Sequence, residues 1–356
     1  MKDAMLEDLR ALVECESPSE DLAACKRVVE LAAEISKRVT GAKGDVVEES
    51  GRLVFWLGSK SPKVVLLAHL DTVWPIGSFT PTWKVEGDIA RGPGCYDMKA
   101  GFIQALYAMK DLDRNQVALI ATTDEETGSL TSRALIERVS KGAKAVLVLE
   151  SAIDGKAKVG RKGTSMYRIT LHGRAAHAGL EPEKGINATI EMARIVEKLI
   201  RLENPELGTS VVPTVLKSGT TTNTVPALAT LEVDSRSFSM AEMERVKSAI
   251  YELKPENQGA RIEVSGGINR PPLEESATQS LYEKLESVAS ELGMGTIGSA
   301  IVGGASDGNF AGIHTQVLDG LGAVGSGAHA LTENISINDL EPRAKLLTAL
   351  TKAILL

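Results

Sequence analysis

Cysteine is scarce in this chain: Cys15, Cys25 and Cys95 are the only three in 356 residues. Their odd number and the absence of CxxC spacing exclude a disulfide framework and point to a reducing, cytoplasmic setting. Apolar runs are short as well. None approaches the ~18 residues that a membrane span requires. The opening residues, Met1-Lys-Asp-Ala-Met-Leu-Glu-Asp-Leu-Arg10, are charged and amphipathic rather than a secretion signal. There is no basic run or stripe, and 40 Lys and Arg against 47 Asp and Glu leave a net charge of −7. That balance excludes a nucleic-acid binder. The one glycine-rich turn that enters a helix, Arg91 to Gly101, has neither the GxGxxG nor the GxxxxGK[ST] pattern, which disfavours a nucleotide-dependent enzyme. Internal repeats and low-complexity segments are absent too.

What is present is an ordinary globular composition, 43% hydrophobic and 24% charged. The length suits two domains of ~100–200 residues each. Residues 3–39 read as two amphipathic helices broken at Ser17-Pro18-Ser19, with Ser19 or Asp21 as the cap of the second. Short strands are expected at 45–49 and 53–57. Lys63 to Ala68 then forms an apolar strand buried on both faces, and it delivers His69 and Asp71 to its carboxyl end, where open α/β sheets place their ligand sites. The glycine-rich turn Arg91 to Gly101 aims Asp97 at the same rim and enters a helix over 100–110. Strand 117–121 ends in Asp124-Glu125-Glu126, and strand 145–149 ends at Glu150. Three parallel-looking strands and the glycine-rich turn thus deliver His/Asp, Glu/Glu, Glu and Asp, and such a pattern implies one shared metal site.

From about residue 160 the texture changes to alternating strands. Strands at 165–172, 228–236 and 261–265, with helices at 185–202 and 241–253, give a β-α-β-β-α-β order and a ferredoxin-like insert. Gly266-Gly267 reads as the return hinge. The expected fold is therefore α/β: a mostly parallel central sheet flanked by helices over residues 1–160 and 268–356, with an α+β insert over 161–267. A helix at about 275–292 and a final helix at 337–355 complete the chain.

His69, Asp97, Glu126, Glu150 and His329 are five ligands suited to zinc, with cobalt or manganese as substitutes. Two cations sharing a carboxylate sit ~3.5–4 Å apart in two-metal hydrolases, and Asp97 is the natural bridge, with one His and one Glu completing each side. Glu125 is then left as a general base that takes the proton of the attacking water. Asp71 would hold the other ring nitrogen of His69. His177, in the insert, can serve as an electrophile for an oxyanion. Asp307 reads as a turn or cap, and His172 and His314 as structural.

Together, His69-Leu-Asp71, Gly92-Pro-Gly-Cys-Tyr-Asp97-Met-Lys-Ala-Gly101, Asp124-Glu-Glu-Thr-Gly128, Glu150, Gly173-Arg-Ala-Ala-His177-Ala-Gly179 and Gly327-Ala-His329 resemble the dinuclear zinc peptidase and deacylase family of glutamate carboxypeptidase, succinyl-diaminopimelate desuccinylase, acetylornithine deacetylase and aminoacylase. The likeness spans nearly the whole chain and is greatest to the glutamate-carboxypeptidase-like branch. It implies two zinc ions per subunit, one on His69, Asp97 and Glu150 and the other on Asp97, Glu126 and His329. It also implies a zinc-exopeptidase-like catalytic domain and an insert that acts as a lid and pairs two subunits, with His177 reaching the partner's site. Asn223, Arg236, Arg270, Gly303 and Gly304 match substrate-contacting positions. The expected activity is hydrolysis of the amide bond to a C-terminal amino acid. The alternative is a biosynthetic N-acyl amino acid deacylase, with a non-catalytic binding protein further behind.

Overall fold

The structure, a computed structural model, describes all residues from 1 to 356. The chain divides into two compact units. The first comprises residues 1–160, 273–302 and 306–356, and the second 161–272 with 303–305.

The first unit is built on a six-stranded sheet. Its strands are β1 (Asp45–Glu49), β2 (Arg52–Gly58), β3 (Val64–His69), β4 (Val117–Thr122), β5 (Ala145–Val148) and a sixth, Gln316–Leu318, in the order β1-β2-β4-β3-β5-sixth. From β4 onward all pairs are parallel, whereas β1–β2 and β2–β4 are antiparallel. The three central strands lack any polar–apolar alternation because both faces are covered. In β3, Val64, Leu66 and Ala68 enter one core while Val65 and Leu67 enter the other. β4 and β5 divide in the same way, with Leu119 and Leu147 in the first core and Ile120 and Val146 in the second. Each fully buried aliphatic side chain contributes about 1.5–3 kcal/mol.

Helices Lys2–Glu14 (α1), Leu22–Thr40 (α2), Ala100–Ala108 (α3) and the C-terminal Leu340–Leu355 contribute to the first core. The α1–α2 break falls where expected. Asp21 is the cap, its carboxylate accepting from the Ala24 N–H at 2.9 Å, and Gly41 closes α2 in the left-handed region. α3 approaches the sheet closely because residue 101 is glycine: a Cβ there would collide with the Leu149 carbonyl oxygen.

Two features depart from the sequence expectation. A small four-stranded sheet joins Lys84–Glu86 and Ile89–Arg91 to Gly325–Ser326 and Asn334–Ser336. Segments of two or three residues carry no periodicity from which a strand can be read. Gly266 and Gly267 also do not end a unit. They lie inside the strand Arg261–Arg270, where Gly266 has φ +98°, and the unit continues to Pro272.

The second unit is a four-stranded antiparallel sheet. In spatial order its strands are Ser210–Ser218, Leu228–Ser237, Gly163–His172 and Arg261–Arg270. Numbered along the chain this is 2-3-1-4, the arrangement of a ferredoxin-like β-α-β-β-α-β unit. Tyr167, Ile169, Leu171, Leu231 and Val233 meet Met192, Ile195 and Leu199 of helix Ala188–Ile200 and Val246 and Ile250 of helix Met240–Tyr251. No helix in the chain is long and apolar enough to cross a membrane.

Candidate active site

The parallel strands of the first unit end on one rim, and their terminal residues converge. His69 is the last residue of β3 and is buried. Its Nε2 lies 3.4 Å from Asp97 Oδ1 and 3.7 Å from Glu150 Oε1. On the other side of Asp97, His329 Nε2 lies 3.4 Å from Oδ2 and 3.2 Å from Glu126 Oε2. The two imidazoles thus face opposite oxygens of one carboxylate, and each also faces a glutamate.

This donor set fits a pair of cations. Ligand atoms at about 2.0–2.2 Å from a tetrahedral zinc are about 3.3–3.6 Å apart, close to the 3.2–3.7 Å of these four pairs. His69 Nε2 is buried without a hydrogen bond, an arrangement costly for a polar atom unless something else meets it. Its Nδ1 lies 3.0 Å from the backbone carbonyl of Asp71 and 3.4 Å from the Asp71 carboxylate. Donation from Nδ1–H leaves the Nε2 lone pair facing the cluster.

The electrostatics point the same way. Hydrogen bonding with Asp97 and then Glu126 raises the His329 pKa to about 10. Burial acts against the charged form of His69, yet the Asp71 and Asp97 carboxylates keep its pKa well above the ordinary value. Burial would raise Asp97, but His329 and His69 hold it below the usual carboxylate range. Glu126 is pushed up by burial, with the charge of Asp97 adding to that effect. Without cations the histidines must carry the compensating charge; bound cations would reverse the rises at His69, His329 and Glu126 and would themselves hold Asp97 down.

Glu125 is buried, and its carboxylate lies within 4.8 Å of ligand atoms of His69 and Glu150. The Asp71 carboxylate has wider contacts than expected. It accepts from the Ser19 hydroxyl at 2.7 Å and from the backbone N–H groups of Glu126 at 3.2 Å and Glu125 at 3.4 Å. Asp71 therefore positions the Glu125–Glu126 turn as well as His69.

Several buried acids escaped the sequence reading. Glu333 accepts from the backbone N–H groups of Gly94, Tyr96 and Asp97, each at 3.0 Å, and from Trp74 Nε1 at 2.9 Å. It holds the Asp97 turn from the loop that carries His329. The only sequence signal was an acid four residues beyond a candidate ligand. Asp307, read as a turn or cap, does stand at the N-cap position of the short helix Gly308–Ala311, and its buried carboxylate also accepts from the hydroxyls of Thr122 and Ser129 on either side of the Glu125–Glu126 turn.

The remaining candidates lie in the second unit. His177 is exposed, and its Nδ1 accepts from the Gly179 and Leu180 N–H groups, both at 3.1 Å. Residues 176–177 pair with Thr224–Val225, and the Ala178 N–H donates to the Asn223 carbonyl, so His177 and Asn223 share one corner. Arg236 is engaged by Asp234 through Nε at 2.9 Å and Nη2 at 3.2 Å, and its Nη1 donates to the Gly303 carbonyl at 3.3 Å. The Gly304 carbonyl accepts from Arg161 at 3.2 Å. Arg270 is buried at the end of its strand.

Comparison with known proteins bears on this site. Carboxypeptidase G2 of Pseudomonas sp. is 31% identical over 287 residues, covering 77% of this chain and 69% of that protein. Succinyl-diaminopimelate desuccinylase 2 of Shewanella loihica is 28% identical over 307 residues, covering 77% and 80%. The crystal structure of aminopeptidase PepT from Bacillus cereus superposes with a TM-score of 0.78 at 22% identity, over 100% of this chain and 99% of that one. Residues 65–353, from β3 through most of the last helix, match the family described as Peptidase family M20/M25/M40. With that span and the convergent His and carboxylate cluster, the chain belongs to peptidase family M20/M25/M40, a family of metal-dependent hydrolases.

Proposed function

We propose that this protein hydrolyses the amide bond joining an acyl or peptidyl group to a C-terminal amino acid, as a carboxypeptidase with two zinc ions per subunit. Cobalt or manganese would substitute. The observation that carries the reading is the placement of His69 and His329 against opposite oxygens of Asp97, with Glu150 and Glu126 beside them. In this assignment His69, Asp97 and Glu150 hold one ion, and Asp97, Glu126 and His329 the other. When bound, the ions supply Lewis acidity to the scissile carbonyl and lower the pKa of water.

Glu125 takes the proton of the attacking water and returns it to the leaving amine. Asp71 orients His69 and, through the backbone of Glu125 and Glu126, the base itself. The neutral ring of His177 carries its proton on Nε2, since Nδ1 is an acceptor, and that N–H is the donor assigned to the developing oxyanion. Asn223, Arg236, Arg270 and the Gly303-Gly304 turn are assigned to the substrate carboxylate, for which a guanidinium fork is the apt partner. The second unit is assigned as a lid that pairs two subunits. Likeness to a desuccinylase supports a second reading, an N-acyl amino acid deacylase using the same bond and ions.

The test pairs metal content by mass spectrometry with amino-acid release from N-acyl and dipeptide substrates. Two zinc ions per chain and release of the C-terminal residue are expected. Release from succinyl-diaminopimelate alone would select the deacylase, and no release after zinc or cobalt loading would refute both.

A further inference from the structure

Beside the metal cluster, and wholly within the first unit, lies a cavity of about 560 Å³. Glu126, which faces His329 at 3.2 Å, forms part of its wall and joins the cavity to the cluster. Pro18 and Ser19, which precede α2, form a second wall, and Val73, Pro75 and Ile76, which follow β3, form a third. These walls are braced against each other. The Ser19 N–H donates to the Thr72 carbonyl at 3.2 Å, and the Thr72 N–H donates to the Ser17 carbonyl at 2.9 Å. The cavity is preformed, as small-molecule sites usually are. Val73 and Ile76 leave 40% and 54% of their surface uncovered at its mouth. Its ionisable lining consists of the carboxylates of Glu20, Asp21 and Glu126, and no Lys, Arg or His takes part.

We propose that this cavity receives the acyl-side group of the substrate and selects an apolar group over an anionic one. The inference rests on the reaction proposed above. There the carboxylate end of the substrate is assigned to residues of the second unit, which leaves the acyl end for the cavity beside Glu126. Apolar walls reward an aliphatic chain in proportion to the surface it buries. A succinyl-type carboxylate would enter beside the acidic residues Glu20 and Asp21 with no Lys, Arg or His in the lining to meet it, and would be disfavoured. The substrate class is therefore a peptide or N-acyl amino acid whose acyl side is aliphatic or aromatic.

Alkyl hydroxamates test this directly, because their head group anchors on zinc whatever reaction the enzyme performs. Calorimetry on zinc-loaded protein should find 4-methylpentanohydroxamate at least about tenfold tighter than acetohydroxamate, and succinic monohydroxamate no tighter than acetohydroxamate. Ile76→Asp, at an exposed loop position, should remove most of the tenfold ratio, and Val73→Lys should improve the succinic compound relative to the alkyl one. Equal affinities, or a ratio untouched by Ile76→Asp, would overturn the assignment. If the ratio holds but no N-acyl amino acid is hydrolysed, the reaction fails and the apolar site stands. If succinyl and 4-methylpentanoyl substrates are cleaved equally well, the selectivity fails and the reaction stands.

Discussion

Glu125 and Glu126 are adjacent in sequence but differ in surroundings. Glu126 faces His329 at 3.2 Å, whereas Glu125 turns toward His69 and Glu150 from a buried position. Loss of a general base costs about 10²–10⁴ in rate, so Glu125→Ala should lower kcat by that order while metal content stays at two per chain. Retained turnover would remove Glu125 from the role. Glu333 acts on the site without facing it. Glu333→Ala would strip the acceptor from three backbone N–H groups, each costing about 1–3 kcal/mol if left buried and unsatisfied. We expect a loss of about 3 kcal/mol or more in chemical denaturation, together with weaker zinc retention against a chelator. Unchanged zinc retention would show that the Asp97 turn holds its shape without Glu333.

At the scale of elements, the site depends on how closely α3 approaches the sheet. This helix begins three residues after Asp97, and Gly101 lies against the Leu149 carbonyl, one residue before Glu150. A methyl group there would push apart the supports of two candidate ligands. Overpacking of this kind costs about 1–3 kcal/mol. Gly101→Ala should therefore lower Tm and reduce metal content together, even though alanine favours helix. A variant as stable as the parent, with both metals retained, would show that the backbone can shift at no cost.

At the scale of the molecule, the second unit leaves an edge strand open. Along Ser210–Ser218, Val212, Val215 and Leu216 are 45%, 47% and 52% exposed. An uncovered apolar edge with unpaired backbone groups invites pairing with another chain. This supports the proposed homodimer through the insert. Sedimentation should give a dimer for the parent chain and a monomer for Leu216→Lys. A parent that sediments as a monomer would remove the dimer and leave His177 to act within its own chain.

The residues now found together were legible in the sequence because each ends a buried parallel strand or lies in a glycine-rich turn. Strand periodicity and the choice of His, Asp and Glu are local properties, so His69, Asp97, Glu125, Glu126 and Glu150 could be picked out as candidates one segment at a time. Both ends of α2 were open to the same kind of reading. What local pattern could not carry was partnership across the chain. Asn334–Ser336 pairs with Ile89–Arg91, and Glu333 reaches the Gly94–Asp97 turn from more than 230 residues away. Strands of two or three residues have no periodicity to detect, and a buried acid reads like a surface one until its neighbours are known. Composition and strand-end chemistry alone determined an α/β metal-dependent hydrolase. Long-range contact decided that His329 meets Asp97 and that Asp71 and Asp307 shape the Glu125–Glu126 turn. Those contacts join segments whose own sequences carry no record of one another.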